Sequence, residues 1–262
     1  MYNFEFVKPS SVADAVTALK ADEAQALGGG QTLLPTMKQR LASPSALVSL
    51  AGISEMKGVR AEGSTLHVGG GTTHATVAAE AASSYPGLAG LAAHIGDPAV
   101  RNRGTIGGSL ANNDPAACYP AAVLGSGATV VTNAREIAAD DYFQGMFTTA
   151  LDEDEIITGV KFPIPQASNY QKFLQPASRF ALVGVFVAKY ADGVRVAVTG
   201  ASEDGVFRWS EAEAALSSNF GAGALAGLSL PVEGMIADLH GTGAYRAHIV
   251  KVMTGRAVAA AS

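Results

Sequence analysis

Three clusters of glycine constrain this sequence more than any other feature. They lie at 28–30, 69–71 and 107–108. Apolar runs that predict short strands precede the first two clusters, over 24–27 and 65–68, and patterns typical of amphipathic helices follow them. The segment 105–110 is interpreted as a third copy of the same unit. The chain is therefore expected to repeat the order strand, glycine cluster, polar cap and helix.

Each glycine cluster alone is explained as a tight turn, because glycine adopts positive φ without steric cost. Three clusters, each at a strand-to-helix junction with Ser, Thr or Gln beside it, favour a different interpretation. Where no side chain intervenes, backbone N–H groups can reach a phosphate, and the positive end of the helix dipole adds to the attraction. The sequence thus predicts a site for a phosphate-bearing ligand built from such junctions.

The glycine pattern differs from the two commonest nucleotide-binding motifs. Leu33 stands where the dinucleotide-binding fingerprint has its third glycine, and no Gly-Lys-Ser or Gly-Lys-Thr is present to form a P-loop. The segment 221–226 has the spacing G-x-G-x-x-A, but the residues before it do not resemble a buried strand. We interpret that match as a coincidence in a region rich in Ala and Gly.

The remaining pattern predicts an α+β chain that changes character after its middle. Helices are expected over 11–20, 116–124, 210–217 and 243–260, and strands over 47–50, 128–132 and 156–162. The segment 163–168 contains Pro163 and Pro165 and has the composition of a linker. Beyond it, apolar runs at 180–190 and 194–201 flank Asp192-Gly193, an arrangement that predicts a hairpin.

Composition and charge exclude several classes of function. The 262 residues carry a net charge of −5 with scattered Lys and Arg, so we expect no nucleic-acid partner. Cys118 is the only cysteine, which excludes a metal site made from several thiolates of this chain. No stretch approaches the roughly 18 apolar residues of a membrane span, and the expected location is the cytoplasm. His74 is the one histidine singled out, because it lies in the helix after the second glycine cluster.

Two arginines precede the third glycine cluster, in the segment VRNRGTIGGSL. Guanidinium groups pair readily with phosphate and carboxylate oxygens. The sequence leaves three roles open for Arg101 and Arg103: contact with the phosphates of a ligand, contact with a neighbouring chain, or steadying of the loop.

Four segments of the chain resemble one protein family. They are ALGGGQTLLPTMKQRL at 26–41, VGGGTTHATVA at 68–78, IGDPAVRNRGTIGGSLANNDPAA at 95–117 and YQKFLQPASRFALVGVFVA at 170–188. In this combination they resemble the FAD-binding medium subunit of molybdenum hydroxylases of the carbon monoxide dehydrogenase type. The FAD domain of xanthine dehydrogenase is a more distant relative. The resemblance runs from residue 1 to about residue 255 and so covers nearly the whole chain.

The resemblance implies the FAD-binding fold shared with vanillyl-alcohol oxidases, the PCMH type. Two α/β subdomains, 1–56 and 57–165, would hold FAD between them. Residues 166–262 would form a C-terminal α+β domain with an antiparallel sheet and helices.

The resemblance also implies which residues bind FAD. The segment 27–33 is expected on one side of the diphosphate and the segment 105–109 on the other. A side chain added at Gly29 or Gly107 is expected to occupy the space of a phosphate oxygen. Ile95 and Ile157 match positions that line the flavin or the adenine, and Lys172 matches a position near the isoalloxazine. The complete expected set is Leu27, Gly28, Gly29, Gly30, Gln31, Thr32, Leu33, Thr72, His74, Ile95, Thr105, Ile106, Gly107, Gly108, Ser109, Asn112, Asp114, Cys118, Ile157 and Lys172.

One position of this set departs from the family pattern. Cys118 stands where the family usually has aspartate, so a polar contact to FAD is expected to be missing or replaced. No catalytic acid, base or metal ligand is expected in this chain, because the cofactor carries the redox chemistry.

A protein of this kind would be the flavoprotein subunit of a heterotrimer. The resemblance implies a large subunit with a molybdopterin-type molybdenum cofactor, a small subunit with two [2Fe–2S] clusters, and a dimer of such heterotrimers. Electrons would pass from the clusters to non-covalently bound FAD and then to an external acceptor. If that acceptor is a membrane component, the complex would associate with the inner face of the membrane. Two alternatives stay open: a free-standing flavin oxidase of the same fold, and a scaffold subunit that has lost FAD.

Overall fold

The computed structural model describes residues 1–176 and 179–262. Its helices are α1 Val12–Leu19, α2 Leu33–Lys38, α3 His74–Glu80, α4 Pro86–Ala93, α5 Pro98–Arg101, α6 Ile106–Asn112, α7 Tyr119–Ser126, α8 Ala139–Tyr142, α9 Ser210–Ser218 and α10 Gly243–Ala260. Its strands are β1 Glu5–Val7, β2 Ala24–Leu27, β3 Ala46–Ser49, β4 Val59–Glu62, β5 Thr65–Gly69, β6 Thr129–Thr132, β7 Glu136–Ala138, β8 Phe143–Gly145, β9 Thr148–Thr149, β10 Ile157–Pro163, β11 Ala167–Lys172, β12 Gly184–Tyr190, β13 Gly193–Ser202 and β14 Gly205–Arg208.

The first sheet is a small parallel sheet with the order β1-β3-β2. Helix α1 packs on it and begins as the sequence predicts, because the Ser11 hydroxyl accepts a hydrogen bond from the Asp14 amide. Strand β2 is not the buried strand that its apolar composition predicts. It lies at the sheet edge, and its two central residues, Gln25 and Ala26, are exposed. An edge strand has a neighbour on one side only, which leaves β2 open to form the wall of a cleft.

The second sheet is antiparallel and has the order β4-β5-β10-β6-β7. Helices α3, α4, α6 and α7 share one apolar core with this sheet. The core includes Tyr85, Leu88, Leu91, Ile106 and Phe162. The Thr73 hydroxyl caps α3 by accepting from the Thr76 amide, as the sequence predicts. Helix α3 therefore begins directly after the glycine turn that ends β5.

The third sheet is antiparallel and has the order β11-β12-β13-β14. The expected hairpin is present, with Tyr190 opposite Gly193. The expected linker 163–168 was wrong for residue 163, which ends β10, and for residues 167 and 168, which begin β11. The connection between the two strands is only 164–166. Of the two prolines that suggested a linker, Pro163 ends β10 and Pro165 lies in the connection. The polar side chains of β11 hid its strand character.

The two faces of the third sheet pack against different partners. Side chains alternate across a strand, so Phe186 and Ala197 face α7 and join the core of the second sheet. Val185, Val187 and Val196 face the opposite way, into a core shared with α9 and α10. The third sheet is therefore joined to the second through continuous apolar packing.

These three sheets lie at 5–49, 59–163 and 167–208 along the chain, and β8 and β9 pair separately in a two-stranded sheet. The division of the chain into two FAD-binding subdomains, 1–56 and 57–165, and a C-terminal domain, 166–262, stays a prediction. Within the ranges that the structure describes, no helix is both long enough and apolar enough to cross a bilayer.

Candidate functional site

A cleft of about 1140 Å³ lies where the three sheets meet. Its volume slightly exceeds the roughly 300–1,000 Å³ usual for small-ligand sites. One wall comes from β2, α2 and the turn between them, a second from α5, α6 and the loop after α6, and a third from the C-terminal segment. The cleft thus has room for a ligand as long as a dinucleotide.

The turn after β2 and the turn before α6 touch each other through their backbones. A Cβ atom built on Gly29 would lie 2.0 Å from the carbonyl oxygen of Arg103 and 2.5 Å from the Cα of Gly104. One built on Gly28 would lie 2.9 Å from the hydroxyl of Thr105. Only glycine allows this approach, so the two predicted halves of the site lie side by side.

The first turn presents a row of free donors. Among the described residues, the backbone N–H groups of Gly29, Gly30, Gln31 and Thr32 donate to no protein acceptor. Gly30 has φ +70°, a conformation that favours glycine, and helix α2 begins three residues later. Consecutive unpaired N–H groups at a helix start form an anion-binding concavity.

The second turn is built differently from the expected third copy of the glycine unit. No strand precedes it; α5 does, and the cap comes before the glycines rather than after them. The Thr105 hydroxyl accepts from the amide of Gly108, which lies in the first turn of α6. The amides of Ile106 and Gly107 donate to the carbonyls of Thr72 and Gly70. The residues of α6 that line the cleft are Gly108, Ser109, Ala111 and Asn112, of which Ser109 and Asn112 have polar side chains.

Most residues of the expected set do line the cleft. They are Leu27, Gly28, Gly29, Gly30, Gln31, Thr32, Leu33, His74, Ile95, Thr105, Gly108, Ser109, Asn112, Asp114, Cys118 and Lys172. Contact of these residues with a ligand stays a prediction.

Four residues of the expected set do not line the cleft: Thr72, Ile106, Gly107 and Ile157. The Thr72 hydroxyl bonds to both backbone groups of Gly58. Ile106 and Ile157 are buried in the apolar core. A Cβ on Gly107 would lie 2.7 Å from the carbonyl oxygen of Gly70, so this glycine permits close packing of α6 rather than space for a phosphate.

His74 lies on the cleft wall but is buried. Its ring packs against Tyr119, with centroids 5.3 Å apart, and its Nδ1 has no hydrogen-bond partner among the described residues. Burial, and secondly the charge of Arg101, lower the pKa of His74 from 6.5 to about 4. The imidazole is therefore neutral at pH 7.

The two arginines of the second motif have different surroundings. Arg101 Nη1 donates to the carbonyl oxygens of Ile95 at 3.1 Å and Gly96 at 2.9 Å, so this side chain steadies the loop. Arg103 is exposed, and in the described part of the chain its side chain makes no hydrogen bond or ion pair. Of the three roles left open by the sequence, Arg101 takes the last.

The loop between α6 and α7 forms the floor of the cleft. Burial raises the pKa of Asp114, while the Ala116 amide that donates to its carboxylate at 2.8 Å opposes this rise. Cys118 lines the cleft with 5% of its surface exposed. At the position where the resemblance leads us to expect a carboxylate, this chain presents a thiol.

The third wall was missed by sequence reasoning. It includes Ala181, Gly200, Ile236, Asp238, His240 and Arg246. Arg246 is 4% exposed and donates to the carbonyl oxygens of Leu182 and Gly200 and to the carboxylate of Asp238. The only local signal was Gly200, a glycine inside a strand with φ +79°. Across 1–176 and 179–262, no group of three or more His, Cys, Asp or Glu side chains is placed to hold a metal ion.

Comparison with known proteins identifies the family. The family model described as "FAD binding domain in molybdopterin dehydrogenase" matches residues 2–165, more than half of the chain. The carbon monoxide dehydrogenase medium chain of Afipia carboxidovorans is 36% identical over 202 residues, which cover 73% of this chain and 70% of that protein. The nicotine 6-hydroxylase medium subunit of Paenarthrobacter nicotinovorans is 35% identical over 280 aligned positions, which cover 97% of this chain and 95% of that protein.

A solved structure has the same fold. It is carbon monoxide dehydrogenase from Hydrogenophaga pseudoflava lacking the Mo-pyranopterin moiety of its cofactor; one chain superposes with a TM-score of 0.86 and 32% identity, covering 99% of this chain and 97% of that chain. These similarities extend over all three sheets and the cleft between them. The chain therefore belongs to the family of FAD-binding domains of molybdopterin dehydrogenases, and it is an FAD-binding subunit of an oxidoreductase of that type.

Proposed function

We propose that this chain holds FAD non-covalently in the cleft and passes electrons from the [2Fe–2S] clusters of a small partner subunit to an external acceptor. A large partner subunit would carry the molybdopterin-type molybdenum cofactor, and the complex would be a cytoplasmic dimer of heterotrimers. The similarity to medium subunits over nearly the full chain supports this arrangement. The substrate would be selected by the large subunit.

The row of unpaired N–H groups at 29–32 is the observation that carries the proposal. A diphosphate has oxygens on two sides, and each needs donors once it leaves water. The N–H groups of Gly29 to Thr32 would serve one side. The side chains of Ser109 and Asn112, which face the cleft from α6, would serve the other. The contact between Gly29 and Gly104 keeps the two sets of donors a fixed distance apart.

The residues near the remaining cleft walls would position the ring systems. Ile95 offers an apolar contact, and Lys172 and the neutral, buried His74 would add polar groups to the cleft wall. When bound, FAD supplies the redox chemistry, because the flavin exchanges electrons with both one-electron and two-electron partners. The chain itself has only to orient the flavin, exclude water and leave an edge open for electron exchange.

A titration and a precipitation test this proposal. The full chain, freed of flavin, is titrated with FAD and followed by quenching of flavin fluorescence, and the loaded protein is then precipitated with acid. We expect saturable binding of one FAD per chain, and all of the yellow colour in the supernatant after precipitation. Absence of binding would contradict the proposal and favour the alternative of a scaffold subunit that has lost FAD. A yellow pellet would contradict non-covalent binding.

A second arm tests the electron-transfer role. The flavin-loaded chain is mixed anaerobically with alcohols and aldehydes, alone and together with the subunits that co-purify with it. We expect reduction of the flavin only in the presence of the partner subunits. Direct reduction by a substrate without partners would instead establish a free-standing flavin oxidase.

A further inference from the structure

Three successive backbone carbonyls, at 94–96, are each held by a cationic side chain, and the last two of these residues line the cleft. Arg101 Nη1 donates to the oxygens of Ile95 and Gly96. Lys172 Nζ donates to the oxygen of His94 at 3.0 Å. Arg101 ends α5 and Lys172 ends β11 of the third sheet, so the two cations approach from different parts of the fold. We call the segment 94–96 with these two side chains the 94–96 clamp.

The turn within the clamp is tightly defined. Gly96 has φ +52°, and a Cβ on it would lie 2.8 Å from the side chain of Val100. The Asp97 carboxylate caps α5 by accepting from the Val100 amide at 2.9 Å. The chain thus turns at Gly96 and returns at once into the short helix that carries Arg101. Hydrogen bonds with an ionised donor are stronger than neutral ones, so Arg101 fixes the orientation of the two peptide groups it holds.

The clamp bears directly on the cofactor cleft. Ile95 and Gly96 line the cleft, whereas the side chain of Arg101 is not among its lining groups. The guanidinium thus sits behind the wall and holds its carbonyl oxygens. Released carbonyls could turn toward the cleft, where their partial negative charge would repel a dianionic ligand.

We propose that Arg101 is a positioning residue of the FAD site, which together with Lys172 fixes the 94–96 turn against the bound cofactor without contacting its phosphates. The inference rests on the proposed function, since it presumes that the cleft is the FAD site. It assigns to Arg101 a role distinct from that of Arg103, although both carry the same charge within one motif.

Arg101 and Arg103 form a matched pair for the test. Arg101→Gln and Arg103→Gln each remove one positive charge, two residues apart, but only the first removes the bonds to Ile95 and Gly96. We expect Arg101→Gln to weaken FAD binding on the order of tenfold, as the loss of bonds to a charged group implies. Arg103→Gln should stay within about twofold of the wild type. Arg101→Lys should recover part of the loss, because its ammonium keeps the charge but lacks the planar fork.

A spectroscopic measurement separates positioning from general stability. The visible circular dichroism of FAD bound at saturation reports the shape of its surroundings. It should change in Arg101→Gln and not in Arg103→Gln. Arg101→Gln also removes two hydrogen bonds from the flavin-free full chain, so its thermal unfolding temperature should fall by a few degrees, whereas that of Arg103→Gln should match the wild type.

Three results would overturn the inference. Equal losses of affinity in both Gln variants would indicate attraction of the phosphates by charge alone. Wild-type affinity and dichroism in Arg101→Gln would show that the clamp does not shape the site. A loss of affinity and of thermal stability with wild-type dichroism would make Arg101 a purely structural residue. The same titration also measures FAD binding by the wild type. If the wild type does not bind FAD, the proposed function itself is refuted.

Discussion

His74 shows how one buried side chain ties the stability of this fold to pH. Its pKa is lowered to about 4, first by burial and second by the charge of Arg101. Between about pH 6.5 and pH 4 the unfolded chain binds a proton that the folded protein does not, so stability falls as the pH falls through this range. The full effect is roughly 3 kcal/mol, reached below pH 4.

We therefore expect the His74→Gln variant to lose less stability on acidification than the wild type. Urea unfolding at pH 7 and at pH 4.5 gives the difference in the free energy of unfolding for each protein. This difference should be smaller in His74→Gln by about 2 kcal/mol. His248→Gln, which alters an exposed histidine of α10, should behave like the wild type. An unchanged pH difference in His74→Gln would show that the imidazole is not held neutral.

At the scale of secondary-structure elements, the contact between the β2–α2 turn and the α5–α6 turn depends on Gly29. A methyl group at this position would meet the backbone of Arg103 and Gly104. Gly29→Ala should separate the two turns, lower the free energy of unfolding by about 1–3 kcal/mol, and weaken FAD binding on the order of tenfold or more. Gly227→Ala is the matched control, because no atom lies within 4 Å of its added Cβ. If the two variants bind FAD equally well, the contact does not organise the site.

The elements also show what the sequence could and could not predict. The starts of α1 and α3 could be predicted from local capping residues, because the hydroxyls of Ser11 and Thr73 accept hydrogen bonds from amides three residues further along the chain. The third glycine cluster was misread as a copy of the strand unit, because Thr105 and Ile106 before the glycines were taken as the end of a strand, whereas Thr105 is the cap of α6 and α5 precedes it. The edge position of β2 could not be predicted, because the number of neighbours of a strand is decided by the rest of the chain.

The same limit applies to the site. The glycine turns are local features with a physical signature, and their residues were predicted from the sequence. The wall that contains Asp238 and Arg246 lies more than a hundred residues further along the chain, and only the packing of the third sheet brings it to the cleft. Contacts between such distant residues produce no periodic pattern in the sequence, so they could not be predicted from it. Gly107 was assigned the wrong neighbour for the same reason, because Gly70 reaches it only in the folded molecule.

For the whole molecule, the third sheet is attached to the floor of the cleft by a small polar contact within an apolar interface. The Thr199 hydroxyl bonds at 2.7 Å to the carbonyl oxygens of both Pro115 and Ala117, and the Gly200 amide bonds at 2.7 Å to Pro115. Pro115 and Ala117 line the cleft. The C-terminal segment therefore determines the shape of a site whose glycine turns lie entirely in the first half of the chain.

This attachment predicts that a buried change in the third sheet alters cofactor binding. Thr199→Val keeps the volume but leaves the Ala117 carbonyl without its donor, which should cost about 1–3 kcal/mol of stability. Thr254→Val, at a fully buried threonine of α10 whose hydroxyl bonds to Val250, removes a comparable bond away from the cleft. Both variants should unfold at lower urea concentration, but only Thr199→Val should bind FAD more weakly, by several-fold in the fluorescence titration. Parallel losses of affinity in the two variants would mean that FAD binding follows global stability, and the third sheet would then have no specific part in shaping the floor of the cleft.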